Sequence, residues 1–298
     1  MAERRSSFEA RAGTIADALS REPRGHSGVV GVVLTEPERA EADCGMVFFT
    51  GEGMRPLSGH AAMVAGALAV VRGLVAPRAS GRVEIDTEAG ALQLDVSHGS
   101  GWPRRARLTS AAACVVRGAA RVTTARRALH CDIAWSGSEL VAVVDGESAG
   151  VPLSAAHTLE LRRAGREVLD AIAHTLRVTH PVSGSRGEVT GCVFVGPPSD
   201  DRADVRAVMV REDGSVSRTA SASASSALAV VLAAMGMSAA GRPTRHENLA
   251  GISWDVALAE QVEEGRWRVA IAADVYLTGE HEFTLDPSDP MVRGAVWR

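Results

Sequence analysis

Serine residues stand at the starts of two apolar segments and are the side chains of this chain best placed for chemistry. Ser58 precedes one segment and is followed by Gly59 and His60, whereas Ser221 precedes the other. The first N–H groups of a helix have no intrahelical partner and carry partial positive charge, so they bind a carboxylate without Arg or Lys. Two such helix starts that face each other would hold one small acid from both sides. We therefore expect a small carboxylate-bearing ligand.

Helix capping explains the same serines without any ligand. Serine is a favoured N-cap residue, and the run after Ser221 includes Ser223 and Ser225, as an ordinary cap and loop would. His60 is either a base in the first turn of its helix or a histidine satisfied within the core. The matched positions of Ser58 and Ser221 in two similar contexts favour the functional interpretation.

The elements that position these serines repeat along the chain. The segments Ala61–Val71 and Ala227–Met237 are apolar all round, which predicts two helices that are buried on every side. Each serine at a helix start lies 15 residues before a glycine, Gly73 or Gly236, and both glycines suit the position just after a helix end. The repeat predicts a duplicated unit, two similar lobes, and a ligand-binding cleft between them.

Short strand-like runs and a few helical segments are mixed along the chain, which indicates an α/β or α+β fold. The predicted strands are Gly28–Leu34, Gly45–Phe49, Arg82–Thr87, Leu92–Val96, Leu140–Val144, Gly191–Val195, Val205–Val210 and Trp267–Ile271. The predicted helices are Phe8–Leu19, Ala61–Arg72, Leu159–Thr175 and Ser223–Ala234. Together with the repeat, they predict two similar lobes, each a mixed β-sheet wrapped around a central buried helix.

Two stretches of unusual composition lie between the repeats. His98–Arg107 is rich in glycine, proline and arginine, and Arg117–Arg127 is basic. These stretches place the boundary between the lobes, so we expect a first lobe at 1–126 and a second lobe at 127–284. The C-terminal tail, about 285–298, is expected to return to the first lobe.

Composition excludes several classes of partner. The chain has 298 residues, is 46% hydrophobic, and carries a net charge of −4 with both signs interspersed, which argues against nucleic acid and anionic membranes. Its longest apolar runs are far shorter than the ~20 residues that span a bilayer, and Met1–Thr14 lacks the apolar core of a secretory signal. We therefore expect a cytoplasmic protein, and a homodimer is the ordinary assembly of a soluble enzyme.

The cysteines give no sign of a metal centre or a redox pair. Cys44, Cys114, Cys131 and Cys192 are widely spaced, without a CxxC or a Cys/His pattern. We expect four buried small apolar residues and no metal.

Several short motifs, in order, resemble those of the proline racemase family, which includes hydroxyproline epimerases and trans-3-hydroxyproline dehydratases. The resemblance covers most of the chain. The matching segments are Glu22–His26 (EPRGH), Leu57–His60 (LSGH, where the family has MCGH), Asp86–Gly90 (DTEAG, where it has DTPAG), Asp132–Gly137, Gly196–Pro198, Val216–Ser226 and Tyr276–Pro290. The shared order and spacing identify the chain as a divergent member of this family.

The resemblance implies a fold and a reaction. The fold is two similar α/β lobes, each a sheet around a central helix, in agreement with the internal repeat. The reaction needs no cofactor: one cysteine thiolate removes the α-proton of an imino acid, and a second cysteine supplies a proton to the opposite face. Amides at the helix starts hold the carboxylate, which implies substrate contacts at Gly59, His60, Ala222 and Ser223. The resemblance also implies a substrate contact at Ser217.

The departures from the family pattern change the chemistry. The first family cysteine corresponds to Ser58, and the motif Asp-Arg-Ser-Pro-Cys-Gly-Thr-Gly-Thr reads Ser217–Ser225 here, so the second cysteine corresponds to Ser221. The aspartate expected to hold the ammonium group is Ser217. A serine hydroxyl is a far weaker acid than a thiol and a poor base unless a neighbour takes its proton. Ordinary proline racemisation is therefore not expected. The family's opening strand also has no counterpart here, which suggests a shortened start.

Three functions remain open from the sequence. In the first, the chain is a cofactor-independent isomerase or lyase that acts near the α-carbon of a small proline-type or modified amino acid. His60 is then the base, and Ser58 and Ser221 donate hydrogen bonds or relay protons. In the second, the cleft binds a small carboxylate ligand and promotes a cyclisation or another biosynthetic step. In the third, the chain is a catalytically inactive paralogue.

Overall fold

The fold is described from a computed structural model over residues 1–96, 105–219 and 221–295. Most of the predicted stretch 98–107, Ala220 of the second motif and the last three residues of the tail lie outside the described residues. The chain forms two compact units. Unit 1 consists of Met1–Leu108 with Asp274–Arg298, and unit 2 consists of Thr109–Ala273.

The four predicted helices all form. The helices are α1 Ala2–Ser20, α2 Gly59–Val71, α3 Gly146–Ala149, α4 Thr158–Thr175 and α5 Ala222–Ala234, with a 3₁₀ turn at Ala155–His157. The strands are β1 Val30–Thr35, β2 Cys44–Thr50, β3 Gly53–Arg55, β4 Arg82–Thr87, β5 Gly90–Val96, β6 Arg105–Thr109, β7 Ala113–Thr123, β8 Ala128–Trp135, β9 Leu140–Asp145, β10 Val178–Thr179, β11 Arg186–Gly187, β12 Val189–Gly196, β13 Val205–Arg211, β14 Thr244–Glu247, β15 Ser253–Glu263 and β16 Arg266–Asp274.

Unit 1 is a sheet with one helix on each face. Its strands run in the order β1-β2-β4-β5-β6, and β3 forms a hairpin with β2. On one face, the ring of Phe8 in α1 lies 5.7 Å from the ring of Phe49 in β2. On the other face, α2 approaches so closely that a Cβ on Gly66 would meet the Leu94 side chain at 2.2 Å. Gly66 therefore lets the Leu94 side chain pack directly against the backbone of α2.

The helix α2 is not buried on every side, contrary to the expectation from its apolar sequence. Val64 is 39% exposed and Val71 is 44% exposed, whereas Ala62, Gly66 and Ala69 are buried. One side of α2 contacts β1 and β5 of the sheet. An apolar helix sequence thus indicates burial in general, but it does not fix how many sides the surrounding sheet covers.

Unit 2 is a closed barrel with a helix inside. Eight strands of its described part run in the order β16-β15-β14-β13-β12-β9-β8-β7, and β7 pairs again with β16 at Ala113 and Trp267. The helix α5 lies in the interior, where Leu228 and Val231 share a core with Trp254. The helix α4 packs outside the barrel in a second core. The predicted sheet around a central buried helix is thereby confirmed for this unit.

The boundaries of the units differ from the sequence-based ones. The division falls at 108/109 and 273/274, whereas the sequence placed it at 126/127 and 284/285. The basic stretch Arg117–Arg127 is not a linker, because most of it belongs to β7 and its hairpin with β8. In unit 1 the tail contacts the segment after α1: Glu22 and Ala295 exchange two backbone hydrogen bonds of 3.1 and 2.8 Å.

Candidate active site

The start of α2 brings Ser58, Gly59 and His60 together. Ser58 is the N-cap residue, with extended backbone (φ −139°, ψ 106°), and its carbonyl accepts a 2.9 Å hydrogen bond from the Ala62 N–H. Its hydroxyl caps no backbone N–H among the described residues. Instead, the Ser58 Oγ lies 3.3 Å from Nδ1 of His60. This arrangement pairs a serine hydroxyl with an imidazole, the side chain best suited to proton transfer near neutral pH.

The start of α5 places Ser221 in the matching position. Ser221 is the N-cap residue and is 8% exposed, and its Oγ accepts a 3.2 Å hydrogen bond from the Ala224 N–H. Because this oxygen accepts from the helix, the hydroxyl proton is left for a donor role. Ala222 and Ser223 form the first turn and are partly exposed. Ser225 is fully buried and accepts a 2.9 Å hydrogen bond from the indole N–H of Trp254.

Both helices end as the sequence predicted. The C-cap residue of α2 is Arg72, and Gly73 follows it with φ +67°. The C-cap residue of α5 is Met235, and Gly236 follows it with φ +73°. Glycine adopts this left-handed conformation without the steric cost that a Cβ brings. The spacing of 15 residues between the serine and the glycine therefore corresponds to one helix of the same length in each unit.

Ser217 lies in the segment that leads to α5 and is part of a local turn. Its N–H donates to the Met209 carbonyl at 2.9 Å, and its hydroxyl donates to the Thr219 carbonyl at 3.3 Å. The same segment is held by Asn248, whose side-chain amide donates to the Arg218 carbonyl at 2.9 Å. Ser217 therefore supplies no carboxylate at the position where the family resemblance expects one.

A carboxylate that the sequence analysis did not single out lies beside α5. Glu139, in the turn between β8 and β9, pairs with Arg211 of β13, whose Nη1 donates to its two oxygens at 3.1 and 2.8 Å. Thr190 of β12 donates a further hydrogen bond at 3.0 Å. No local sequence signal marks this pair, because its members are 72 positions apart and meet only when β12 and β13 lie beside β9.

The surroundings keep Glu139 ionised. Burial acts to raise the pKa of its carboxyl, but the Arg211 charge and hydrogen bonding from Ser223, Arg211 and Thr190 outweigh burial and lower the pKa. Ser223 belongs to the first turn of α5, so the anionic Glu139 borders the start of this helix. A carboxylate near a helix N-terminus is favoured by the partial positive charge there.

The cysteines of the chain do not replace the thiols of the family. All four are buried and free. Burial raises the pKa of Cys44 and of Cys131 to about 11, and it also raises those of Cys114 and Cys192. These thiols are therefore protonated at neutral pH and are neither nucleophiles nor bases there.

The sequence contains no lysine, because all 32 of its Lys and Arg positions are arginine. Without a lysine side chain, the chain has no ε-amine to form a Schiff base with a carbonyl group. No group of three or more His, Cys, Asp or Glu side chains within the described ranges could hold a metal ion. No described helix is long and apolar enough to cross a bilayer.

Other polar residues of the family-like motifs have structural roles. Arg24 pairs with Asp289 of the tail at 3.1 Å. Asp132 accepts a 2.8 Å hydrogen bond from the N–H of Ala119, whose φ is +48°. His246, which lies outside these motifs, belongs to β14 and is fully buried. These residues belong to turns and strands, and we assign them no part in the chemistry.

Comparisons with known proteins agree with this arrangement. A family model described as proline racemase matches residues 1–296. The chain is 24% identical to the proline racemase of Acetoanaerobium sticklandii and 28% identical to a 4-hydroxyproline 2-epimerase of Streptosporangium roseum, in each case over 99% of this chain and 89% of the relative. A crystal structure of a hydroxyproline epimerase from Agrobacterium vitis, with bound trans-4-OH-L-proline, has a TM-score of 0.83 and 21% identity and covers 96% of this chain and 83% of that chain.

The fold is that of the proline racemases and hydroxyproline epimerases. The chain belongs to the proline racemase family.

Proposed function

We propose that this chain is an isomerase or lyase that acts at the α-carbon of a small proline-type or modified amino acid, with Ser58 and Ser221 in place of the family's cysteine pair. His60 is the base, and Ser58 either orients the imidazole or relays the proton to it. The observation that carries the proposal is the 3.3 Å contact between the Ser58 Oγ and the His60 Nδ1. A serine hydroxyl becomes useful in proton transfer only when such a neighbour takes its proton.

The two helix starts have different parts in this proposal. The N–H groups of Gly59 and His60 in α2, and those of Ala222 and Ser223 in α5, lie in first turns, where N–H groups lack intrahelical partners, so each helix start can bind a carboxylate. The Ser221 hydroxyl accepts from the Ala224 N–H and donates its own proton to the substrate. One base and one weak donor fit α-proton exchange or β-elimination better than two-base racemisation, which needs matched groups on both faces.

The substrate of this proposal lacks a free ammonium group. Ser217, where the family resemblance expects an aspartate, has a hydroxyl that donates to the Thr219 carbonyl. Without that counter-charge, binding a cationic amine near the helix starts is unfavourable. An N-acylated amino acid, an imine or a related biosynthetic intermediate fits better. We further propose a cytoplasmic homodimer, which cell fractionation and light scattering test.

A second candidate is a ligand-binding protein that promotes a cyclisation, or an inactive paralogue. All four thiols are buried and the chain has no lysine, so α-carbon chemistry depends on His60 as its base. This small choice of bases favours the second candidate. In that case the carboxylate binds at the helix starts but no α-proton is exchanged.

Proton exchange in D₂O tests the proposal. The purified protein is incubated with L-proline, trans-4-hydroxy-L-proline, trans-3-hydroxy-L-proline and N-acylated analogues, and the α-proton is followed by NMR. We expect exchange or consumption of at least one compound, favouring those without an ammonium group, and a loss of about 10²-fold or more in His60→Ala. His26→Ala is the control, since His26 is exposed and lies outside the helix starts. No exchange with any compound would favour the second candidate.

A further inference from the structure

The two matched serines use their hydroxyl groups in different ways. The Ser221 Oγ accepts from a backbone N–H of its own helix and so acts as a helix cap. The Ser58 Oγ makes no such cap bond and lies 3.3 Å from the His60 Nδ1. Replacing Ser58 therefore removes no capping interaction, and its hydroxyl is held by a base instead of by the backbone. That is the arrangement of an activated nucleophile.

We propose that Ser58 and His60 form a nucleophile–base pair that hydrolyses small uncharged esters or lactones, an activity beyond the α-carbon chemistry proposed above. The Ser58 Oγ attacks the acyl carbon, and its proton passes to the His60 Nδ1. The imidazolium then gives this proton to the leaving alcohol oxygen as the ester bond breaks. Water, deprotonated by His60, attacks the acyl-serine, and the carboxylic acid leaves with Ser58 restored.

The first turn of α2 supplies donors for the negative charge that develops on the acyl oxygen. Ser58 is the N-cap residue, so the N–H groups of Gly59 and His60 follow the nucleophile directly in the chain. Ala62 donates its N–H to the Ser58 carbonyl, which starts the regular helix hydrogen bonding one turn later. Backbone N–H groups next to a nucleophile are the usual donors that stabilise a tetrahedral intermediate.

A second Ser–His pair in unit 2 provides a matched comparison. The Ser154 Oγ lies 2.7 Å from the His157 Nδ1, closer than in the first pair. Ser154 is the N-cap residue of a three-residue 3₁₀ turn that runs directly into α4, and His157 is the N-cap residue of α4. In the first pair it is the serine, Ser58, that is the N-cap residue of the α-helix. If a short Ser–His distance were sufficient for hydrolysis, this pair would also react. The proposal assigns reactivity to Ser58, because Ser58 is itself the N-cap residue of an α-helix, so that first-turn N–H groups of the helix follow it directly.

Hydrolysis of p-nitrophenyl acetate and labelling with a fluorophosphonate test the assignment on the full chain. We expect ester hydrolysis above the buffer rate, a single fluorophosphonate adduct on the peptide that contains Ser58, and a loss of about 10²-fold in Ser58→Ala and in His60→Gln. Ser154→Ala is expected to keep the wild-type rate. Circular dichroism and thermal unfolding check that the variants fold, which is expected for Ser58→Ala since no cap bond is lost.

Each contrary result overturns the inference in a recognisable way. No adduct at Ser58, or full activity in Ser58→Ala, would show that Ser58 is not a nucleophile. Loss of hydrolysis in Ser154→Ala would assign the activity to the other pair. The α-proton exchange in D₂O is independent of all these measurements, so the ester activity and the proposed α-carbon chemistry succeed or fail separately.

Discussion

The types of two side chains, Ser58 and Ser221, limit the proton transfers that are open to this chain. A thiol titrates near ~8.5 and therefore exchanges protons at neutral pH, whereas a hydroxyl needs a partner that takes its proton. Ser58 has such a partner in His60, at 3.3 Å, and Ser221 instead accepts from a backbone N–H. The two serines, which the family resemblance matches to a pair of cysteines, are therefore chemically unequal here. This inequality favours one-base reactions over racemisation.

Introducing thiols at Ser58 and Ser221 alone is expected to leave proline racemisation weak. In the double variant Ser58→Cys with Ser221→Cys, position 217 still lacks a carboxylate to hold the ammonium group. Adding Ser217→Asp is expected to raise proline turnover by about 10-fold or more over the double variant, which is the range for a hydrogen bond to a charged group. Chiral chromatography of proline measures both rates. Strong racemisation by the double variant would show that position 217 matters little.

The pair of Glu139 and Arg211 is expected to stabilise unit 2. The side chains are 18% and 26% exposed, so Glu139→Gln leaves a mostly buried guanidinium without its counter-charge. We expect a loss of about 1–3 kcal/mol in the free energy of unfolding. Adding Arg211→Met removes the unpaired charge, so the double variant should lose less than the sum of the single variants. Urea unfolding of all four proteins measures this coupling, and additive losses would contradict it.

The sequence identified the residues at the helix starts but not those that surround them. Ser58, His60 and Ser221 were found because a repeat and a capping pattern are local signals. The interaction of Glu139 with Arg211 and Ser223 depends on a turn, a strand and a helix meeting in space. No local sequence pattern indicates this contact. Only the structure therefore shows that an anionic side chain borders α5.

The elements that carry the candidate site were predicted best where an apolar segment lies between a helix-capping serine and a glycine. The helices α2 and α5 begin after Ser58 and Ser221 and end before Gly73 and Gly236, as the spacing predicted. The strand β7 was missed, because its outward-facing residues include Arg117 and it was taken for a basic linker. Strands of a closed barrel expose one face to solvent, so their sequences alternate and lack a continuous apolar run.

The first turn of α5 is expected to depend on Trp254. The indole N–H of Trp254 in β15 donates to the buried Ser225 Oγ, and the Ser225 N–H donates to the Ser221 carbonyl. Trp254→Phe keeps most of the apolar ring but leaves the Ser225 hydroxyl without this donor. We expect a loss of about 1–2 kcal/mol in stability and faster amide exchange over residues 222–226. Hydrogen exchange followed by mass spectrometry measures the change.

The control for this prediction is the same substitution in a Ser225→Ala background. There the hydroxyl is already absent, so Trp254→Phe should cost less and should change amide exchange at α5 little further. An equal cost in both backgrounds would show that Trp254 acts through the packing of its ring and not through its hydrogen bond.

At the scale of the whole molecule, the sequence predicted two units and the internal helix of the second, but not where the units divide. The boundary at 108/109 falls at the last residue of β6, between the two stretches that composition marked, His98–Arg107 and Arg117–Arg127. Composition shows where a chain is polar, whereas a boundary depends on which strands pair. The closure of the barrel through Ala113 and Trp267, 154 positions apart, sets it here.

A buried histidine is expected to make unit 2 less stable in mildly acidic solution. His246 in β14 is fully buried, and burial lowers its pKa from 6.5 to about 4, against a smaller opposing effect of Asp204. Between these two values the unfolded chain binds a proton that the folded chain does not, so stability falls as the pH falls. The expected loss between pH 7.5 and pH 5 is about 2 kcal/mol.

The variant His246→Gln separates this effect from all others. Glutamine retains a polar group where the His246 Nε2 lies 3.1 Å from the Thr244 Oγ1, but it does not titrate. Urea unfolding at pH 7.5 and pH 5 should therefore show a smaller pH-dependent loss in His246→Gln than in the wild type, whatever its stability at pH 7.5. His26→Gln, which changes an exposed histidine, should retain the wild-type loss. Equal losses in His246→Gln and the wild type would mean that His246 takes up a proton in the folded state, and that the interior around β14 admits charge.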